Sequence, residues 1–161
     1  MSQLEVVQIP CLTDNYGYLV HDSESKFTAS IDSPALDPIE DALRQNDWVL
    51  THIFNTHHHY DHTGANLELK KRWKCKIIGS EKDSDRIPGL DEGVNDQEVF
   101  NFGNHEVKVF DVSGHTIGHI SFYFPREEKL FCGDALFALG CGRIFEGTPA
   151  QMWESLQKLE K

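Results

Sequence analysis

Five of the nine histidines fall between His52 and His62, and this crowding constrains the fold more than any other feature of the chain. At its centre stands Thr56-His57-His58-His59-Tyr60-Asp61-His62, a His-x-His-x-Asp-His pattern that follows the apolar run Val49 to Asn55. Alternate side chains of extended backbone share a face, so His57 and His59 project to one side and His58 to the other. Asp61 and His62 fall where the loop enters the next helix. Neutral imidazole and carboxylate suit zinc, iron or manganese, and at this density they imply at least one bound metal. An affinity-tag remnant is excluded by position, because the cluster is internal and follows a buried strand. The fold must therefore end a strand in a loop that turns several ligands into one cavity.

The surrounding pattern is short and mixed. Leu4 to Ile9, Tyr16 to His21 and Phe27 to Ile31 read as strands of an antiparallel opening, with Asp14-Asn15 and Asp22-Ser23 in the turns. Asp37 as N-cap and Pro38 at the first helical position start a helix, and Val49 to Asn55 is a buried strand. Ala65, Leu69 and Trp73 keep helical spacing, and Lys76 to Gly79 is the next strand. Glu106 to Val112, Ile120 to Phe124 and Lys129 to Cys132 predict a second sheet, and Thr148-Pro149 to Leu159 an amphipathic helix running out at Lys161. With no repeat or linker, residues 1–161 read as one α/β domain, helices outside two sheets.

Two later segments supply further ligands. Ser113-Gly114-His115-Thr116-Ile117-Gly118-His119 sets His115 in a glycine-flanked turn after a strand, where backbone can approach a metal closely. Phe131-Cys132-Gly133-Asp134 puts a carboxylate at a strand end, from which one Asp can bridge two ions. His58, His119, His52, His21 and His105 read as structural residues, and Cys132 and Cys141 as small buried ones with no basic partner. Fifteen basic against 26 acidic residues leave a net charge of -11, which disfavours nucleic acid and anionic membrane surfaces. A site holding divalent cations still admits a small anionic substrate. Four cysteines without a Cys-x-x-Cys pair fit a reducing compartment. The start Met1-Ser2-Gln3-Leu4-Glu5 has no basic leader, and no apolar run nears the ~20 residues of a membrane span.

Taken in order, His57-x-His59-x-Asp61-His62, Gly114-His115-Thr116 and Gly133-Asp134 resemble the metallo-β-lactamase superfamily. Within it, Gly140-Cys141-Gly142-Arg143-Ile144-Phe145-Glu146-Gly147-Thr148 and Thr13-Asp14-Asn15-Tyr16 are similar to glyoxalase II, and the resemblance covers essentially all 161 residues. It implies an αββα sandwich and two divalent metal ions, zinc foremost, with iron or manganese as alternatives. It assigns His57, His59 and His115 to one ion, Asp61 and His62 to the other, and Asp134 to both. Asp61 and Asp134 become the catalytic carboxylates, Arg143 a clamp for a glutathione carboxylate, and Phe145 a substrate contact where some members have tyrosine. The family's further histidine for the second metal and its C-terminal helical domain have no counterpart here, so the chain is expected to be truncated after its last helix.

The activity implied is hydrolysis of the thioester S-D-lactoylglutathione to glutathione and D-lactate, by a cytoplasmic monomer that binds neither nucleic acid nor membrane. A mitochondrial location would require an import segment missing from this sequence. The alternatives are a mononuclear-iron persulfide dioxygenase, for which His57, His115 and Asp134 would suffice, and an inactive metal-binding fragment. Persulfide dioxygenases tend to carry extra residues after Gly-Cys-Gly-Arg, whereas here Ile144-Phe145 follows directly.

Overall fold

A computed structural model describes residues 3–160, so the expected helix end at Lys161 lies outside the described residues. The first sheet takes its strands in chain order: β1 (Leu4–Cys11), β2 (Asn15–Asp22), β3 (Thr28–Ile31), β4 (His52–Phe54), β5 (Lys76–Ser80) and β6 (Glu92–Val94). The β1–β2 and β2–β3 pairs are antiparallel and the three that follow are parallel. Parallel neighbours need a crossover, supplied by α1 (Leu36–Asn46) before β4 and by α2 (Tyr60–Thr63) and α3 (Asn66–Trp73) before β5. The second sheet, of β7 (Val99–Phe102), β8 (His105–Asp111), β9 (Ile120–Phe124) and β10 (Lys129–Phe131), is antiparallel throughout.

Two apolar layers result. Phe54, Phe102, Phe122 and Phe124 pack between the sheets with Val107 and Val109. Ile39, Leu43, Ile53, Leu69 and Ile77 fill the space between the first sheet, α1 and α3. The Phe54 ring lies 5.2 Å from Phe122 and 5.5 Å from Phe102. Truncating Phe54 to Ala should cost about 3–5 kcal/mol, read as a lower urea midpoint at unchanged slope. The last helix, α4 (Pro149–Leu159), has a reciprocal Thr148–Gln151 capping box and Pro149 in its first turn. Among the described residues no helix is long and apolar enough to cross a membrane.

Four local expectations need correction. Helix α1 is capped by Ala35, so Asp37 lies inside the first turn, where its charge favours the helix dipole. Pro38 is then the third helical residue, and its missing N–H is still one of the four that no helical carbonyl would accept. Only His52–Phe54 of the Val49 to Asn55 run is strand: Val49 is 60% exposed, and the Asn55 side chain donates to the His62 carbonyl at 3.2 Å. Strands β6 and β7 were not anticipated: Glu92–Val94 has three residues and Val99–Phe102 four, too few for an alternation to show.

Candidate metal centre

The site assembles where the chain leaves β3, β4, β8 and β10. Strands β3 and β4 are parallel, with Ile31 opposite Phe54, so Asp32 and the residues after Phe54 emerge side by side. The Thr56 backbone N–H donates to Asp32 Oδ1 (2.8 Å), while the Thr56 hydroxyl and His62 Nδ1 both donate to Asp32 Oδ2 (2.8 Å each). With its hydroxyl proton committed to Asp32, Thr56 Oγ1 can only accept from His57 Nδ1, 3.0 Å away. His115 Nδ1 likewise donates to the Arg143 carbonyl at 2.6 Å. Both rings therefore carry their proton on Nδ1 and present a bare Nε2 lone pair inward.

Those lone pairs converge. His57 Nε2 and His115 Nε2 each lie 3.1 Å from His59 Nδ1, and the three ligand atoms fall within 4.8 Å of one another. One proton on His59 Nδ1 could satisfy only one of its two neighbours, so the donor set fits a cation that accepts three imidazoles. Burial and the neighbouring His119, His62, His59 and His115 hold the His57 pKa well below its ordinary value. Burial and His115 lower that of His59 as well, and neutral imidazole is the form that ligates a metal.

Beside this tripod His62 turns its buried Nε2 towards two carboxylates, 3.3 Å from Asp134 Oδ1 and 3.7 Å from Asp61 Oδ2, without a well-formed hydrogen bond. Burial opposes a charge there, but Asp32 and Asp134 outweigh it and push the His62 pKa up to about 10. Electrostatically this point demands a positive charge. Asp134 straddles both clusters, since its other oxygen, Oδ2, lies 3.4 Å from His115 Nε2. Burial disfavours its ionised form, but His62, His115 and His119 prevail and hold the carboxyl below the usual range. Asp32, His57 and His62 also converge, but both Asp32 oxygens already accept protein donors, so Asp32 orients the ligands from behind.

Residues 23–161 match the family model described as the metallo-beta-lactamase superfamily. The chain belongs to that superfamily. Divalent-metal binding comes with the membership, and the paired His and Asp clusters fit it. The chain is 50% identical over 156 residues to the hydroxyacylglutathione hydrolase of Methylococcus capsulatus, covering 97% of this chain and 61% of that protein. It is 52% identical over 159 residues to the hydroxyacylglutathione hydrolase of Rhizobium etli, covering 99% and 62%. It thus spans about three fifths of the length of these relatives. Among solved structures, ETHE1 from Myxococcus xanthus superposes with a TM-score of 0.82 at 29% identity, over 96% of this chain and 69% of that one. The superfamily's two-sheet sandwich, expected from the motifs, is the fold observed.

The remaining residues of this superfamily member fall into place around the centre. Phe145 stands at its mouth, its ring 5.2 Å from that of His115 and 5.6 Å from that of His59. The Arg143 guanidinium lies 5.0 Å over the Phe145 ring, and both residues are exposed. Gly114 permits the His115 turn, since at φ +151° an added Cβ would meet Met152 Cα of α4 at 2.9 Å. His119 is a wall: its Nε2 accepts the Asp134 backbone N–H (3.1 Å), its ring stacks on His57, and burial lowers its pKa to about 3. His58 faces away, with Nδ1 3.3 Å from Asp83 and Nε2 3.5 Å from Glu146.

The cysteine reading is corrected. Cys11 and Cys75 are the buried ones, Cys132 is partly exposed and Cys141 exposed, because the loop after β10 runs over the surface; all four are free. Sequence reasoning also missed Asp32, Thr56 and the contact of Asn15, whose side-chain amide donates to the Asp61 backbone carbonyl (2.7 Å) and to Asp61 Oδ2 (2.9 Å). The one sequence signal for Asp32 was a carboxylate at the end of a β-rich run. Its meaning depends on which strand lies alongside.

Proposed function

We propose that residues 1–161 form the metal-carrying catalytic domain of a glutathione thioesterase, which hydrolyses S-D-lactoylglutathione to glutathione and D-lactate with two zinc ions. The observation that carries the reading is Asp134, whose two oxygens face His115 Nε2 at 3.4 Å and His62 Nε2 at 3.3 Å. His57, His59 and His115 would hold one ion, Asp61 and His62 the other, with Asp134 between them. When bound, such a pair supplies Lewis acidity, making a water nucleophilic near neutral pH and polarising a carbonyl. The two relatives named hydroxyacylglutathione hydrolase support the substrate class. The second cluster is more than a mononuclear dioxygenase would require. Four free cysteines agree with a cytoplasmic setting.

The protein's own groups supply position and charge. Asp61 and Asp134 present carboxylate oxygens that orient the attacking water. No side-chain nucleophile is required: burial raises the Cys132 thiol pKa, and its Sγ–H donates to the Leu136 carbonyl. Arg143 takes a substrate carboxylate at the mouth and Phe145 covers that side of the centre. Changing Arg143 to Gln should raise KM for S-D-lactoylglutathione about 5–30-fold, one exposed charge-assisted contact, and leave KM for a small neutral thioester unchanged. Equal effects on both substrates would remove Arg143 from the binding role. The reading itself is tested by loading the chain with zinc and following loss of thioester absorbance, which should stop on chelation; no turnover with two ions bound would contradict it.

A further inference from the structure

We propose that Asn15 is a positioning residue for the second cation, acting through Asp61. Asn15 opens β2 and lies 46 residues before Asp61, in the Thr13-Asp14-Asn15-Tyr16 segment for which the activity gives no task. Its Nδ2 donates to the Asp61 carbonyl at 2.7 Å and to Asp61 Oδ2 at 2.9 Å. Both acceptors are oxygens, which settles the orientation of the amide. One N–H thus grips the backbone of the first turn of α2 while the other grips the carboxylate of the same residue.

This double grip matters because the Asp61 side chain is 47% exposed and packing alone leaves its rotamer free. Held by Asn15, Oδ2 faces His62 Nε2 at 3.7 Å and keeps its second lone pair for a cation. Asn15 is itself fixed, paired with Cys11 at the closed end of the β1–β2 hairpin. The first hairpin thereby sets the direction of a ligand in the metal loop. Outer-shell partners of this kind are worth about 10–100-fold in metal affinity.

The inference rests on the assignment of Asp61 and His62 to a second ion, and it is tested by zinc binding alone. Competition with a chelating dye gives two zinc affinities for the full chain, for Asn15→Leu, which is near in size but has no donor, and for Asn15→Ser, the alternative should the Leu variant not fold. The weaker-bound zinc should loosen about 10–100-fold and the tighter one by less than about threefold. Added to Asp61→Ala, Asn15→Leu should cost much less than it does alone, because the carboxylate it orients is gone and only its contact with the residue 61 carbonyl remains. Unchanged second-zinc affinity, equal loosening of both ions, or an undiminished loss in the double variant would overturn the role of Asn15 and leave the thioesterase reading standing. A single zinc per wild-type chain would sink both. Absent hydrolysis with the zinc pattern intact would sink only the thioesterase reading.

Discussion

Replacing Asp134 with Ala should lower the proposed hydrolysis of S-D-lactoylglutathione about a thousandfold and leave fewer than two zinc ions per chain. The loss corresponds to roughly 4 kcal/mol of transition-state stabilisation, at about 1.36 kcal/mol per decade. The size follows from geometry, since Asp134 offers one oxygen to each cluster, to His62 at 3.3 Å and to His115 at 3.4 Å. Its removal also leaves the buried His62 Nε2 without the nearer of its two carboxylates. Steady-state rates paired with elemental analysis of the same samples read both effects. A variant that kept two ions and wild-type turnover would remove Asp134 from its bridging place.

Asp32 should prove the most costly orienting residue. It is 4% exposed, and its two oxygens accept from the Thr56 backbone, the Thr56 hydroxyl and His62 Nδ1. Asp32→Ala leaves all three buried donors unpaired and should destabilise the metal-free chain by about 3–5 kcal/mol. Asp32 also has φ 57°, a left-handed conformation that Asn tolerates far better than Ala. Asp32→Asn therefore separates strain from hydrogen bonding. It should recover part of the stability yet bind zinc about 10–100-fold more weakly, because its amide can no longer accept from every donor and the His57 and His62 tautomers lose their anchor. Urea unfolding in chelator and zinc competition measure the two arms. Wild-type zinc affinity in Asp32→Asn would show that the tautomers are fixed elsewhere.

What the sequence disclosed follows from the range of the forces involved. Strand periodicity placed His57 and His59 on one side, a glycine-flanked turn marked His115, and a strand end marked Asp134; each is a local signal, and the fold brings all three together. The role of Asp32 depends on Ile31 lying beside Phe54, a parallel pairing between strands separated by the whole of α1. No window of neighbouring residues contains that fact. Asn15 was hidden in the same way, its partner lying 46 residues downstream. Strands β6 and β7 were missed because short segments carry no period, and their pairing with β5 and β8 does what local preference cannot. Helix α1 began two residues before the expected first turn because extended backbone at Ala35, without any side-chain cap, was enough to start it.

The segments after β4, β8 and β10 are proposed to hold a pair of cations around Asp134. Anomalous diffraction at the zinc edge from crystals of the zinc-loaded chain tests it most directly. Two peaks are predicted about 3.5–4 Å apart, one among His57, His59 and His115 and the other beside Asp61 and His62, with an Asp134 oxygen between them. A single peak, or peaks beyond coordinating reach of Asp134, would contradict the account.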